Sequence, residues 1–173
     1  CANGYLGMRA SFEEGLDDQV RSIRGSYING FYETAPIHYE ERLHGFARTQ
    51  QSIVNIMDTQ GMDISLDGEA FSCQAGKLLD FRQEMDMEKG LYTRSLRWQS
   101  PKGRATRLVF ERMASQALPE MALLRVQITP ENWQGSVQVL STQHGDVSQD
   151  FDPHDPRKAS VGKKMLEVTR AKV

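Results

Sequence analysis

The chain has 173 residues, of which 25% are charged, with both signs interspersed and a formal net charge of −2. That length fits one domain with a core of its own, and the balanced charge gives no electrostatic footing for nucleic acid or an anionic membrane. No apolar run approaches the ~18–20 residues of a membrane helix, and no charged-then-apolar secretion signal opens the chain.

In chain order, the first third is rich in turns. Asn3-Gly4, Gly7, Gly15, Gly25 and Gly30 punctuate short extended pieces such as Tyr5–Ala10 and Ser26–Tyr32. Phe12-Glu13-Glu14-Gly15 has room for one helical turn at most, and Pro36–Arg48 carries mixed helical character limited by Pro36 and Gly45. Extended segments follow at Gln51–Met57, Asp63–Leu66 and Ala70–Cys73, the last two separated by Asp67-Gly68, a hairpin signal. Leu91–Gln99 and Ala105–Ala114 alternate in twos around the reversing loop Ser100-Pro101-Lys102-Gly103-Arg104. From Ala122 the residues Ala122, Leu124, Val126 and Ile128 share one face, and Leu123, Arg125, Gln127 and Thr129 the other. An antiparallel all-β domain follows, with Leu96, Trp98, Leu108, Phe110, Leu124, Val126 and Ile128 as its core. After Ser141 come the turn His144-Gly145-Asp146 and a polar loop, and Val161–Val173 reads equally as strand or short helix.

Candidate chemistry is sparse. Glu13-Glu14, Glu40-Glu41 and Glu84/Asp86 are paired carboxylates, the residue type that glycoside cleavage needs. Glu84 and Asp86, two apart on a strand beside Arg82 and Lys89, read as solvated or ion-paired. His38, His44, His144 and His154 lack metal-ligand spacing, and Asp150-x-Asp152-x-x-Asp155 lacks the glycine and closing glutamate of a calcium loop, so no metal site is expected. Cys1 and Cys73 are read as free thiols in a reducing compartment, which makes the cytoplasm the expected location. Cys73 has no sequence-adjacent histidine or basic residue to activate it as a nucleophile.

The spelling of the strands adds an identity. Leu78–Gly90 (LLDFRQEMDMEKG) resembles the LDYRRELDMRRG signature of glycoside hydrolase family sixty-five. Leu91–Arg104 (LYTRSLRWQSPKGR), Thr129–Gly135 (TPENWQG) and Asn3–Leu16 (NGYLGMRASFEEGL) extend the resemblance across roughly Ala2 to Val147. The resemblance is to the amino-terminal domain of the maltose, trehalose and kojibiose phosphorylases. It implies an antiparallel β-sandwich of the galactose-mutarotase-like super-sandwich type over residues 1–173, as a fragment of a larger enzyme whose catalytic (α/α)6 barrel is not in this chain. The implied parent reaction is inverting phosphorolysis of an α-linked glucose disaccharide to β-glucose 1-phosphate. Inorganic phosphate is then the co-substrate, no cofactor is needed, and the parent is a dimer that reaches its carbohydrate substrate through the full enzyme.

No catalytic residue is assigned in this chain. The residues expected to face the sugar pocket are Asn3, Gly4, Arg9, Tyr32 and Glu33. Tyr27 and Phe31 raise the same choice between core filling and sugar stacking, and Trp98 reads as core. Two other functions compete with a non-catalytic domain that packs on the barrel. One is a stand-alone carbohydrate-binding module, against which exposed aromatics are not obviously clustered on one face. The other is an enzyme with its own site, for which no convergent acid, base and nucleophile set is evident.

Overall fold

The computed structural model describes residues 1–15, 24–41, 43–145, 147 and 154–155. Among these residues every regular element is a strand, and no helix is long and apolar enough to cross a membrane. The strands are β1 (Leu6–Met8), β2 (Ser26–Ile28), β3 (Tyr32–Pro36), β4 (Thr49–Ile53), β5 (Asp58–Leu66), β6 (Glu69–Ala70), β7 (Lys77–Asp86), β8 (Leu91–Gln99), β9 (Ala105–Ala114), β10 (Ala122–Pro130) and β11 (Val137–His144). All pairings are antiparallel. They build a four-stranded meander in the order β10-β9-β8-β7, a three-stranded sheet in the order β11-β5-β6, and two separate hairpins, β1-β2 and β3-β4.

The two larger sheets face each other, as an all-β antiparallel sandwich requires. Alternation along β8 buries Tyr92, Arg94, Leu96 and Trp98, and the registered partners on β9 are Arg112, Phe110, Leu108 and Thr106. Met62, Ile64 and Leu66 of β5 close over the apolar half of this row. Phe71, just past β6, lies edge-on to Trp98 at 5.3 Å and stacked near Phe110 at 6.0 Å. The buried Trp98 indole donates to the Ala75 carbonyl at 2.6 Å, which satisfies its one polar atom. Asp67 and Gly68 both take positive φ, 50° and 79°, as the tight β5–β6 reversal demands. Gly61 lets β11 approach, since a Cβ there would stand 2.2 Å from Thr142 Oγ1.

Several boundaries and burials depart from the sequence expectation. The described residues of Pro36–Arg48 are not helical; they form the tip of the β3–β4 hairpin, where Ile37 N–H donates to the Arg48 carbonyl and Gly45 takes φ of 89°. Cross-strand pairing of Pro36 with Thr49 holds both arms extended and overrides the local helical preference. β5 starts at Asp58, four residues before the apolar alternation of Met62, Ile64 and Leu66 begins, because Asp58 and Gln60 are buried polar groups with their own partners. Leu124, Val126 and Ile128 are half-buried, not fully buried, because β10 is an edge strand. The Val161–Val173 segment lies outside the described residues, as does most of the Asp150–Asp155 loop.

Candidate functional site

The five residues expected at a sugar pocket fall on the β1–β2 and β3–β4 hairpins and only partly converge. Asn3 is a clamp: its amide nitrogen donates to the carbonyls of Ser115 (2.6 Å) and Pro119 (2.9 Å), and its Oδ1 accepts from the N–H groups of Tyr5 and Leu6. Gly4 has φ of 89° with open space around it, so its backbone angle is the reason for glycine there. Its carbonyl accepts from Asn29 Nδ2 at 3.1 Å, and the Tyr32 hydroxyl donates to Asn29 Oδ1 at 2.9 Å. Asn29 N–H also donates to the Tyr5 carbonyl. One asparagine, absent from the sequence expectation, therefore ties Gly4, Tyr5 and Tyr32 together.

Around it stand three exposed aromatic residues, Tyr5, Phe31 (46% exposed) and Tyr32 (44% exposed). Phe31 and Tyr32 are neighbours in the chain, but Tyr5 precedes β1 and is brought beside them only through Asn29, so no local pattern marks the cluster. Arg9 sits apart: its Nε donates to the Tyr27 hydroxyl at 3.1 Å, with the guanidinium 5.9 Å from that ring. Glu33 alternates with Tyr32 and so faces the other side of β3, beside buried Ala35. Its Oε2 is enclosed and has no hydrogen-bond partner among the described residues. Open grooves at β5–β11 (Asp63, Ser65, Gln138 and Leu140; 460 Å³) and at the β3–β4 tip (Leu43–Arg48; 490 Å³) include none of the five.

A second cluster, buried in the sandwich, was not anticipated. Arg94 donates from Nη2 to Glu13 Oε2 at 2.7 Å and to Glu14 Oε2 at 2.5 Å, and from Nη1 to Glu14 Oε1 at 2.9 Å. Arg112 reaches Glu13 Oε1 at 3.2 Å, donates to the carbonyls of Arg9 and Ser11, and bonds Gln60. Each guanidinium also lies over the ring directly opposite it in the β8–β9 ladder, Arg94 over Phe110 at 4.2 Å and Arg112 over Tyr92 at 4.4 Å. Burial works against the charge of Arg94, but Glu14 and Glu13 outweigh it and hold the guanidinium more firmly protonated than usual. These carboxylates are thus locked to two cations inside the core, which leaves them unsuited to proton transfer. The available signal was Arg94 and Arg112 in phase with Leu96, Trp98, Leu108 and Phe110, since a charge on a buried row demands a counter-charge.

Cys73 does have a basic neighbour, supplied by the fold: Arg94 Nη1 is 3.6 Å from Sγ. Burial first and the Glu14 carboxylate second nevertheless push the thiol up to about 12, so no thiolate nucleophile forms near neutrality. Glu84 pairs with Arg82, and Asp86 with Lys89 at 2.9 Å, both on the surface. Among the described residues no group of three or more His, Cys, Asp or Glu is placed to hold a metal ion.

Comparison with known proteins follows the same lines. The family model described as "Glycosyl hydrolase family 65, N-terminal domain" matches residues 1–172. The chain is 40% identical over 169 residues to an alpha,alpha-trehalose phosphorylase of Geobacillus stearothermophilus, covering 96% of this chain and 22% of that protein. It is 33% identical over 170 residues to a kojibiose phosphorylase of Halothermothrix orenii, covering 96% and 20%. The chain therefore spans about a fifth of the length of the curated relatives it matches. A solved structure of a putative kojibiose phosphorylase from the human microbiome superposes with a TM-score of 0.62 at 23% identity, over 75% of this chain and 17% of that one, which speaks to the fold alone. With its antiparallel sandwich and a family match along almost its whole length, the chain belongs to the amino-terminal domain family of glycosyl hydrolase family 65.

Proposed function

We propose that this chain is the non-catalytic amino-terminal domain of an enzyme that cleaves an α-linked glucose disaccharide by inverting phosphorolysis. A phosphate oxygen forms the new bond to the anomeric carbon as the glycosidic bond breaks, and an acid outside this chain protonates the departing sugar oxygen. β-Glucose 1-phosphate and a free sugar result. Inorganic phosphate is the co-substrate, and the reading calls for no other cofactor.

The domain's part is to pack on the catalytic barrel and lend it the patch built around Asn29. The observation that carries this is the exposed Tyr32 ring, anchored through its hydroxyl to Asn29 and thence to Gly4, with Tyr5 and Phe31 exposed on the adjoining segments. An anchored ring with a free face suits the C–H face of a sugar, and ordering it in advance lowers the cost of binding. The same observation favours a second reading, a module that binds carbohydrate without the barrel.

Kinetics of a full-length polypeptide carrying this domain separate the two, together with calorimetric titration of the chain alone with trehalose, kojibiose and maltose. Tyr32→Ala should raise KM for the disaccharide by about tenfold, the equivalent of ~1.4 kcal/mol, while the chain alone shows no saturable binding. Saturable binding by the chain alone, abolished by Tyr32→Ala, would establish the module. Unchanged KM in Tyr5→Ala, Phe31→Ala and Tyr32→Ala would remove the patch from the pocket.

A further inference from the structure

The two sides of the patch come from the β1–β2 and β3–β4 hairpins, which share no sheet with each other or with the sandwich. The backbone of Tyr32 is fixed by β4, where it stands opposite Ile53, and the neighbouring Phe31 carbonyl accepts from the Val54 N–H at 3.0 Å. The base of β2 is fixed beside β5, where Ser26 N–H donates to the Met57 carbonyl at 2.9 Å. Neither tether is made through the Tyr32 side chain. Two asparagines reach it instead, and hydrogen bonds run unbroken through them from the β9–β10 loop to the Tyr32 hydroxyl.

The ground end is the loop Ser115–Met121, which closes the β9–β10 pairing just beyond Ala114 and Ala122. It is braced from within: Ser115 N–H donates to the Met121 carbonyl at 2.9 Å, Met121 N–H to the Leu118 carbonyl at 2.9 Å, and Leu118 N–H to the Ser115 hydroxyl at 3.0 Å. The Asn3 amide nitrogen grips two carbonyls of this loop, those of Ser115 and Pro119. Its Oδ1 takes the N–H groups of Tyr5 at 3.0 Å and Leu6 at 2.8 Å. A side-chain amide offers two donor hydrogens and two acceptor lone pairs, so Asn3 is saturated within the chain.

From Asn3 the path continues through the backbone of Gly4 and Tyr5 to Asn29. The Gly4 carbonyl accepts from Asn29 Nδ2 at 3.1 Å, and the Tyr5 carbonyl from Asn29 N–H at 2.8 Å. Asn29 Oδ1 accepts from the Tyr32 hydroxyl at 2.9 Å. That hydroxyl has one hydrogen, and Asn29 takes it. What Tyr32 leaves open is its ring, 44% exposed. With a saturated amide at one end and a committed hydroxyl at the other, the group left to meet a sugar is the ring face.

We propose that Asn3 and Asn29 are positioning residues: they brace the Tyr32 ring against the sandwich so that it meets the C–H face of a pyranose, and neither asparagine touches the sugar itself. The proposal rests on the patch serving the sugar pocket. A ring held in place before binding avoids the ordering cost that a free side chain meets on contact. Breaking the brace at any point therefore acts through Tyr32.

A double-mutant cycle in a full-length polypeptide carrying this domain tests the brace. Asn29→Ala and Tyr32→Phe each break the Asn29–Tyr32 bond, and each should raise KM for the disaccharide about fivefold, the size of one hydrogen bond, with kcat held within about twofold. Together they should raise KM no further than either alone, because both remove the same link. Asn29→Asp keeps the acceptor for Tyr32 but loses the donor to Gly4, and should match Asn29→Ala. Asn3→Ala should raise KM by a similar factor in the parent, and by less than about twofold in a Tyr32→Ala background. Far-UV circular dichroism and urea unfolding check that each variant is folded under the assay conditions. Additive effects, a loss in kcat in place of KM, a parental KM in Asn29→Asp, or an undiminished Asn3→Ala effect without the Tyr32 ring would each overturn the proposal. A parental KM in Tyr32→Ala would remove the patch from the pocket and the proposal with it. A raised KM there, beside parental values in Asn29→Ala and Tyr32→Phe, would leave the patch standing and overturn the brace alone.

Discussion

Replacing Arg94 with methionine keeps most of the volume and removes the charge, and it tests whether the Glu–Arg cluster holds the amino-terminal segment to the sandwich. In the native arrangement Arg94 makes three hydrogen bonds to Glu13 and Glu14 and lies against the rings of Phe12 (4.4 Å) and Phe110 (4.2 Å). Without it, Glu13 keeps Arg112 at 3.2 Å, and the Glu14 carboxylate, 2% exposed, loses its guanidinium. Stranding a buried charge in this way costs about 3–5 kcal/mol. For a domain of this size that is a fall in Tm of roughly 6–20 °C. Urea unfolding followed by tryptophan fluorescence reads the change, because Trp98 sits in the same core. Adding Glu14→Gln to Arg94→Met should recover most of the loss, since the stranded charge goes with it while Glu13 stays paired with Arg112. A cost for Arg94→Met within about 0.5 kcal/mol, the range of an ordinary surface change, would refute the buried cluster.

The remaining predictions are narrower. Trp98→Ala should cost about 3–5 kcal/mol in the same unfolding assay, and a near-neutral result would mean the two sheets do not meet as described. Cys73 should resist alkylation at pH 8 until the chain is unfolded, and its raised thiol makes stability full below the ordinary thiol pKa and decreasing as pH climbs from 9.0 towards about 12; rapid native-state labelling would contradict this. The Asp86 carboxyl should titrate below 3.8 by NMR, with its small stabilisation present above that value and lost as pH falls through the lowered one. Lys89→Ala should raise it towards the ordinary range, the backbone N–H groups of residues 88 and 89 keeping part of the shift, and no change on that substitution would remove the Lys89 side chain as a cause.

What the sequence disclosed follows from which residues carry their own instructions. β8, β9 and β10 were legible because Leu96/Trp98, Leu108/Phe110 and Leu124/Val126/Ile128 alternate cleanly and a Pro-to-Gly loop separates the first two strands. β5 was only half legible: Asp58 and Gln60 look like surface residues, and their burial depends on Arg24 and Arg112 from elsewhere in the chain. The Phe12–Gly15 turn shows the same dependence, for nothing local requires two adjacent glutamates to be enclosed. β7 was legible as the strand that carries Glu84 and Asp86, but the exposure of nearly all of it was not. At the candidate patch the aromatic residues were visible individually, whereas Asn29, whose hydrogen bonds reach Gly4, Tyr5 and Tyr32, has no distinguishing neighbour in the sequence.

Under the proposed function this chain supports phosphorolysis without performing it, and release of β-glucose 1-phosphate measures that directly. Incubated alone with phosphate and trehalose, kojibiose or maltose, the chain should yield none above buffer, while a full-length polypeptide carrying the same domain should turn over. Turnover by the chain alone, abolished by a single substitution within it, would contradict the account.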